Sequence, residues 1–195
     1  DPQDNDSPYD TENIYYELTD STLNFKYEYY ENWEDPYQNT IGILYIDLDN
    51  NSETGANFGY YYGADIIGID MIINSYGFGQ GDDGVYIFEN NYEGFIQLDG
   101  IVWENREFNT NEFSFGVSKD FFENIPSFSL LSFSGSLNED GPDIVPNEGM
   151  IELFLAPQWL SLDQDNGSIA PGESMDLNVT FDASNMFGSE NEAII

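Results

Sequence analysis

Clusters of Gly, Pro, Asn and Asp interrupt this chain at short intervals, and the stretches between them are short, aromatic and β-branched. That punctuation leaves little room for helices and favours many brief strands. The reading places strands near Glu12–Leu18, Thr22–Glu31, Gly42–Leu48, Ala64–Ile73, Val85–Glu89, Glu93–Leu98, Glu112–Val117, Phe128–Gly135 and Met150–Leu155. In Leu23-Asn24-Phe25-Lys26-Tyr27-Glu28-Tyr29, apolar and polar residues alternate with the period of a half-buried strand. Glu112 to Val117 repeats it, whereas Ile41–Leu48 and Ile66–Ile73 are more continuously apolar, as central strands are. One short helix is expected over Lys119–Asn124, capped by Ser118 and stopped before Pro126. The fold class that follows is all-β, an antiparallel β-sandwich of jelly-roll-like character.

Charge narrows the chemistry. Thirty-eight acids face three bases, Lys26, Arg106 and Lys119, and the formal net charge is −35. So few cations cannot neutralise phosphates or anionic lipid, which argues against nucleic-acid binding and membrane attraction. No run approaches the ~18 apolar residues of a membrane helix, so membrane insertion is not expected. Aromatics make up 16% of the chain, enough for a sizeable core and far more than a disordered acidic tail carries. There is no histidine and no cysteine. Imidazole bases, thiolate nucleophiles, disulfides and His- or Cys-ligated metals are therefore excluded, and hard, oxygen-seeking cations remain. No Gly-x-Ser-x-Gly elbow or phosphate loop is present either, so a non-catalytic protein is expected.

Calcium is the cofactor these residues favour. Asp47, Asp49, Asn51 and Glu53 present oxygen-bearing side chains at alternate positions, beginning where an apolar strand ends. Calcium takes six to eight oxygens at about 2.3–2.6 Å, and such a turn can supply several of them. The alternative is a solvated acidic hairpin loop. Weaker candidates are Asp82 and Asp83 in the Gly79–Gly84 tip, Asp1–Asp6, and the Asp140-Gly141-Pro142-Asp143 turn. Among the aromatics, Trp33 and the run Tyr60, Tyr61, Tyr62 offer a stacking platform for sugar rings, with Tyr27, Tyr29, Tyr30 and Tyr37 as further members. Most of these must fill the core, yet adjacent Tyr60–Tyr62 cannot all point inward.

Two resemblances add to this reading. Trp159-Leu160-Ser161-Leu162, Gly167-Ser168-Ile169-Ala170-Pro171-Gly172-Glu173-Ser174 and Asn178-Val179-Thr180-Phe181-Asp182-Ala183 together resemble the opening of bacterial Ig-like spacer domains. The stretches Tyr9–Ile14, Tyr45–Gly55, Gly63-Ala64-Asp65-Ile66 and Asp143–Gly149 resemble a β-sandwich accessory module of secreted subtilisin-like peptidases and cell-surface proteins. In outline that module is similar to DOMON-like and family 9-like carbohydrate-binding sandwiches. The second resemblance implies that Asp65, in its Gly-x-Asp element, joins the Asp47 loop in one calcium site. Read from the residues alone, Asp65 is equally a turn cap.

The expected organisation is therefore a calcium-binding β-sandwich module over 1–156 and the first strands of an incomplete Ig-like unit over 157–195. The resemblances imply a bacterial extracellular or cell-surface location, and the opening Asp1-Pro2-Gln3-Asp4, with no basic or apolar signal region, is read as a chain whose signal peptide is already removed. The expected role is to space or dock a larger secreted protein, whose remainder is then the partner. Two other functions stay open. One is a subunit of an extracellular filament, joining neighbouring copies by strand addition. The other is a carbohydrate-binding module with polysaccharide as its partner.

Overall fold

The computed structural model describes residues 10–32, 40–61, 64–76, 84–89, 94–105, 110–136, 143–155, 160–164 and 167–181. By its contacts the chain divides into two units, Asp1–Leu153 and Phe154–Ile195. The strands are β1 (Thr11–Leu18), β2 (Thr22–Tyr29), β3 (Thr40–Asp47), β4 (Ala56–Tyr61), β5 (Ala64–Ile69), β6 (Met71–Tyr76), β7 (Gly84–Glu89) and β8 (Gly94–Leu98). They continue with β9 (Ile101–Asn105), β10 (Glu112–Ser118), β11 (Ser127–Ser136), β12 (Asp143–Val145), β13 (Ile151–Phe154), β14 (Leu160–Leu162) and β15 (Val179–Phe181). Among the described residues the helical content is a single 3-10 turn, Lys119–Phe122, in which the Ser118 hydroxyl accepts the Asp120 N–H as a cap. The fold is all-β and sandwich-like, built from antiparallel sheets.

A four-stranded sheet runs β1-β2-β10-β9, and a larger one runs β12-β11-β3-β6-β7-β8 with β13 added beside β11. The period-two pattern of β2 does what it must. Leu23, Phe25, Tyr27 and Tyr29 are fully buried, and Phe113, Phe115 and Val117 of β10 join them. Phe25 and Phe115 stack with ring centroids 5.5 Å apart, and Tyr27 lies 6.2 Å from Phe113. The larger sheet supplies the opposing face through Leu44, Ile46, Met71, Ile73, Val85 and Leu130. Buried hydrogen bonds cross between the sheets. The Tyr27 hydroxyl meets Ser132 Oγ of β11 at 2.9 Å, and the Thr11 N–H donates to Asp143 Oδ2 at 2.8 Å. These partners satisfy polar groups that would otherwise be stranded in an apolar layer.

The larger sheet is covered on its second face too. Strands β4 and β5 form a two-stranded ribbon, and Ala64, Ile66 and Ile69 pack with Leu131 and Phe133 in a separate apolar cluster. Ile43, Tyr45 and Ile72 border that cluster. Leu130, Leu131, Ser132, Phe133 and Ser134 are therefore all buried in succession. Burial on both faces explains why the β3 region reads as continuously apolar rather than alternating.

One predicted element is corrected. The expected single strand Ala64–Ile73 is two strands in different sheets, β5 and β6, separated by Asp70. Gly68 holds φ +74, a conformation L side chains rarely adopt, and the chain changes sheet just beyond it. The Asp70 backbone opens the new ladder: its N–H donates to Ile46 O at 2.9 Å and its carbonyl accepts from Phe88 N at 2.8 Å. Strands β4, β9 and β12 were not among the expected strands.

In the second unit, β14 pairs antiparallel with β15, Leu160 opposite Phe181 and Leu162 opposite Val179. The Asp163 carboxylate accepts from the side-chain amide and backbone N–H of Asn178, and these bonds pull its pKa below the usual carboxylate value.

Candidate metal centre

Strand β3 ends on Asp47, and the chain then turns through Leu48–Gly55. Polar side chains shape that turn from within. The Asn51 N–H donates to both Asp47 Oδ1 (3.1 Å) and Asp49 Oδ1 (3.0 Å). The Thr54 hydroxyl lies 3.0 Å from each Asp49 oxygen, and Asn51 Oδ1 accepts the Glu53 N–H at 3.1 Å. Asn50 takes φ +54, which Asn tolerates better than most residues. Its side-chain amide accepts from Ser129 Oγ at 2.7 Å and donates to Ser127 Oγ at 3.1 Å, tying the turn to β11.

On its other side the turn lies backbone-to-backbone on β5. A Cβ on Gly55 (φ +70) would sit 2.8 Å from Gly68 C and from the Ile69 carbonyl group. A Cβ on Gly68 would meet Ser52 Cα at 2.7 Å and Asp47 Oδ2 at 3.0 Å. Two glycines thus let the acidic turn touch the exact stretch of chain that leads into Asp70. The Asp70 carboxylate closes the arrangement by accepting the Leu48 N–H at 3.0 Å.

The result is a nook in which Asp47, Asp49 and Asp70 each place a carboxylate oxygen within 4.8 Å of the others. Asp47 is buried, Asp70 half-buried and Asp49 exposed. Burial pushes the Asp47 carboxyl above its usual pKa, and the neighbouring Asp49 and Asp70 push the same way against the Asn51 N–H. Burial also raises Asp70, opposed by the Leu48 N–H and aided by the Asp49 charge. At an effective dielectric of about 20, two unit charges at this range repel by about 3–4 kcal/mol. Among the described residues no Lys or Arg pairs with these acids; the ion pairs there belong to Lys26, with Glu28 and Glu112. A hard divalent cation suits the donor set, since carboxylates are its preferred ligands and each is able to give one or two oxygens.

The sequence-derived candidates distribute unevenly. Asp47 and Asp49 belong to the triad. Asn51 lies in the turn with its side-chain oxygen engaged by the Glu53 N–H, and Glu53 is exposed. Asp65 is exposed on β5 opposite Tyr60, outside the triad. Asp143 opens β12 and holds the Thr11 N–H. Asp1–Asp6, Asp82, Asp83 and Asp140 lie outside the described residues. So do Trp33, Tyr37, Tyr62 and the side chain of Tyr61, while Tyr60 is 73% exposed and Tyr27 and Tyr29 are core. The residue missed is Asp70. Its signal was a lone acid inside the apolar run Ile66–Ile73, where a carboxylate requires a partner.

Comparison with family models, curated proteins and solved structures finds no match to this chain, so fold and site stand on their geometry.

Two outcomes are expected. Gly68→Ala combines a strained backbone with the contact to Ser52, and should cost about 1–3 kcal/mol in urea unfolding; an unchanged midpoint would mean the turn does not rest on β5. The second concerns pH. With divalent cations chelated, the raised folded-state pKa values of Asp47 and Asp70 mean the folded protein binds more protons than the unfolded chain there. Their contribution therefore makes stability rise as pH falls through those values, and replacing both by Asn should flatten that part of the stability–pH curve.

Proposed function

We propose that this protein is a non-catalytic module of the extracellular space or bacterial cell surface, locked by calcium and serving to space or dock a larger secreted protein. The observation that carries this reading is the convergence of Asp47, Asp49 and Asp70 from two chain segments, with burial of one and partial burial of another. Such a cluster opposes its own folding unless positive charge enters it. Calcium supplies that charge without needing the histidine or cysteine the chain lacks. The ion would bridge the end of β3 to the junction of β5 and β6, and so fasten the covering ribbon to the sandwich.

Mass action is compatible with the proposed location. Extracellular calcium modules bind with Kd of about 10⁻⁴–10⁻³ M, and such a site fills only where calcium is millimolar. With Kd ~0.1 mM and calcium ~2 mM, the fold gains about 1.8 kcal/mol. The overall charge of −35 also favours a cation-rich medium. The absence of imidazole and thiol chemistry supports a structural rather than catalytic role, and the resemblance to accessory sandwiches of secreted peptidases points the same way.

Thermal unfolding tests this directly. Moving from excess EDTA to 2 mM calcium should raise the midpoint by about 4–7 °C. Asp70→Asn should abolish that rise while leaving the EDTA midpoint equal to or above that of the unsubstituted protein, because one repelling charge is gone. A midpoint indifferent to calcium would remove the proposed role.

A further inference from the structure

The outer face of the four-stranded sheet carries a second construction, independent of the acidic nook. Two neighbouring rows of side chains meet there. The strand registers place Tyr15, Lys26 and Ser114 in one row, and Glu17, Asn24, Gly116 and Trp103 in the next. Gly116 is the key position. A Cβ there would lie 2.2 Å from Trp103 Nε1 and 2.8 Å from its Cε2, so the indole rests directly on the backbone of β10. From there its N–H reaches across to Asn24 Oδ1 on β2, at 3.2 Å. At the other end Tyr15 covers Lys26, whose ammonium sits 4.6 Å from the ring centroid. Both rings remain open to solvent, Tyr15 at 46% and Trp103 at 39% exposure.

Between them lies an open-sided cavity of about 300 Å³, floored by Asn24, Lys26 and Ser114 and edged by Glu17. That volume stands at the lower end of small-molecule sites, about 300–1,000 Å³. A glycine inside a strand weakens it, and nothing in the core asks for one here, because Gly116 faces outward. At Gly116, beside the register shift between Gly116 and Val117, the absence of a side chain leaves room for the Nε1–Cε2 edge of the exposed Trp103.

We propose that this cavity binds a neutral saccharide, one or two pyranose units of a longer polymer. Charge argues against an anionic ligand, and occupancy of the site's groups against a cationic one. An anionic ligand meets a chain of net charge −35 and the nearby carboxylates Glu17, Glu28 and Glu112. A cationic ligand finds the Tyr15 face already holding Lys26, and Lys26 already paired to Glu28 at 2.7 Å and Glu112 at 3.4 Å. What fits is an uncharged molecule with apolar faces and a hydroxylated rim. A pyranose packs its C–H face on an aromatic ring, while its hydroxyls donate to Glu17 and accept from Lys26. This cavity is separate from Tyr60, one of the residues considered above for polysaccharide binding.

The test is affinity electrophoresis of the full chain, in calcium, through gels containing a soluble β-glucan, a xylan, a galactomannan or, as the anionic comparison, alginate. Retardation is expected in at least one neutral gel. Trp103→Ala and, separately, Tyr15→Ala should weaken it on the order of tenfold. Tyr60→Ala, on the β4–β5 ribbon, should leave it unchanged. Melting midpoints close to that of the unsubstituted protein establish that the variants are folded. No retardation in any neutral gel, retardation by alginate alone, or undiminished binding by both Trp103→Ala and Tyr15→Ala would overturn the proposal. Calcium is present throughout, so none of these results bears on the metal nook.

Discussion

Mutual repulsion among Asp47, Asp49 and Asp70 is the constraint around which the covering ribbon, the β3 turn and the β5–β6 junction are arranged. Their carboxylate oxygens fall within 4.8 Å of one another, yet no described basic side chain attends them. Backbone N–H groups of Leu48 and Asn51 offset part of the strain. Such dipoles soften the charge without cancelling it, which is why burial still raises Asp47 and Asp70. A cation bound there, as proposed, would convert this liability into a cross-link between chain segments. Three elements would then share one fastening: the end of β3, its turn, and the point where the chain leaves the ribbon for the sheet.

The mechanical setting makes that fastening consequential. The larger sheet packs the four-stranded sheet on one face and the β4–β5 ribbon on the other. A lone two-stranded ribbon is marginal in water and depends on what it covers. Here it is held by apolar contacts to Leu131 and Phe133, and by the approach of Gly55 to Gly68 beside the acids. The aromatic face of Tyr15 and Trp103 belongs to the opposite layer of the sandwich. The proposed structural ion in one layer and the proposed ligand face in another would keep the two roles chemically separate.

The sandwich layers were largely legible in the sequence. Alternation in Leu23–Tyr29 and Phe113–Val117 identified the inward faces because each strand has one wet side. The Ser118 cap was readable because capping is local, though the helix it starts is a short 3-10 turn. Nonlocal features were not legible. Ile66–Ile73 reads as one strand, and only the pairing of Asp70 with Ile46 and Phe88 shows where one sheet ends and another begins. Two of the three candidate ligands, Asp47 and Asp49, were visible, since alternate acids at a strand end are a local pattern. Asp70 joins them through a turn stabilised by two glycine contacts, which spacing does not encode. The Trp103 platform was hidden for the same reason: Gly116 and Trp103 meet only across a strand pair.

Calorimetric titration of calcium into the cation-freed protein, run beside Asp70→Asn, tests the central claim most directly. The account predicts one saturable calcium site per chain in the unsubstituted protein and its loss in Asp70→Asn, despite the many other acids that remain. Identical binding by the two proteins, or none by either, would contradict it and leave the acidic turn as solvated surface.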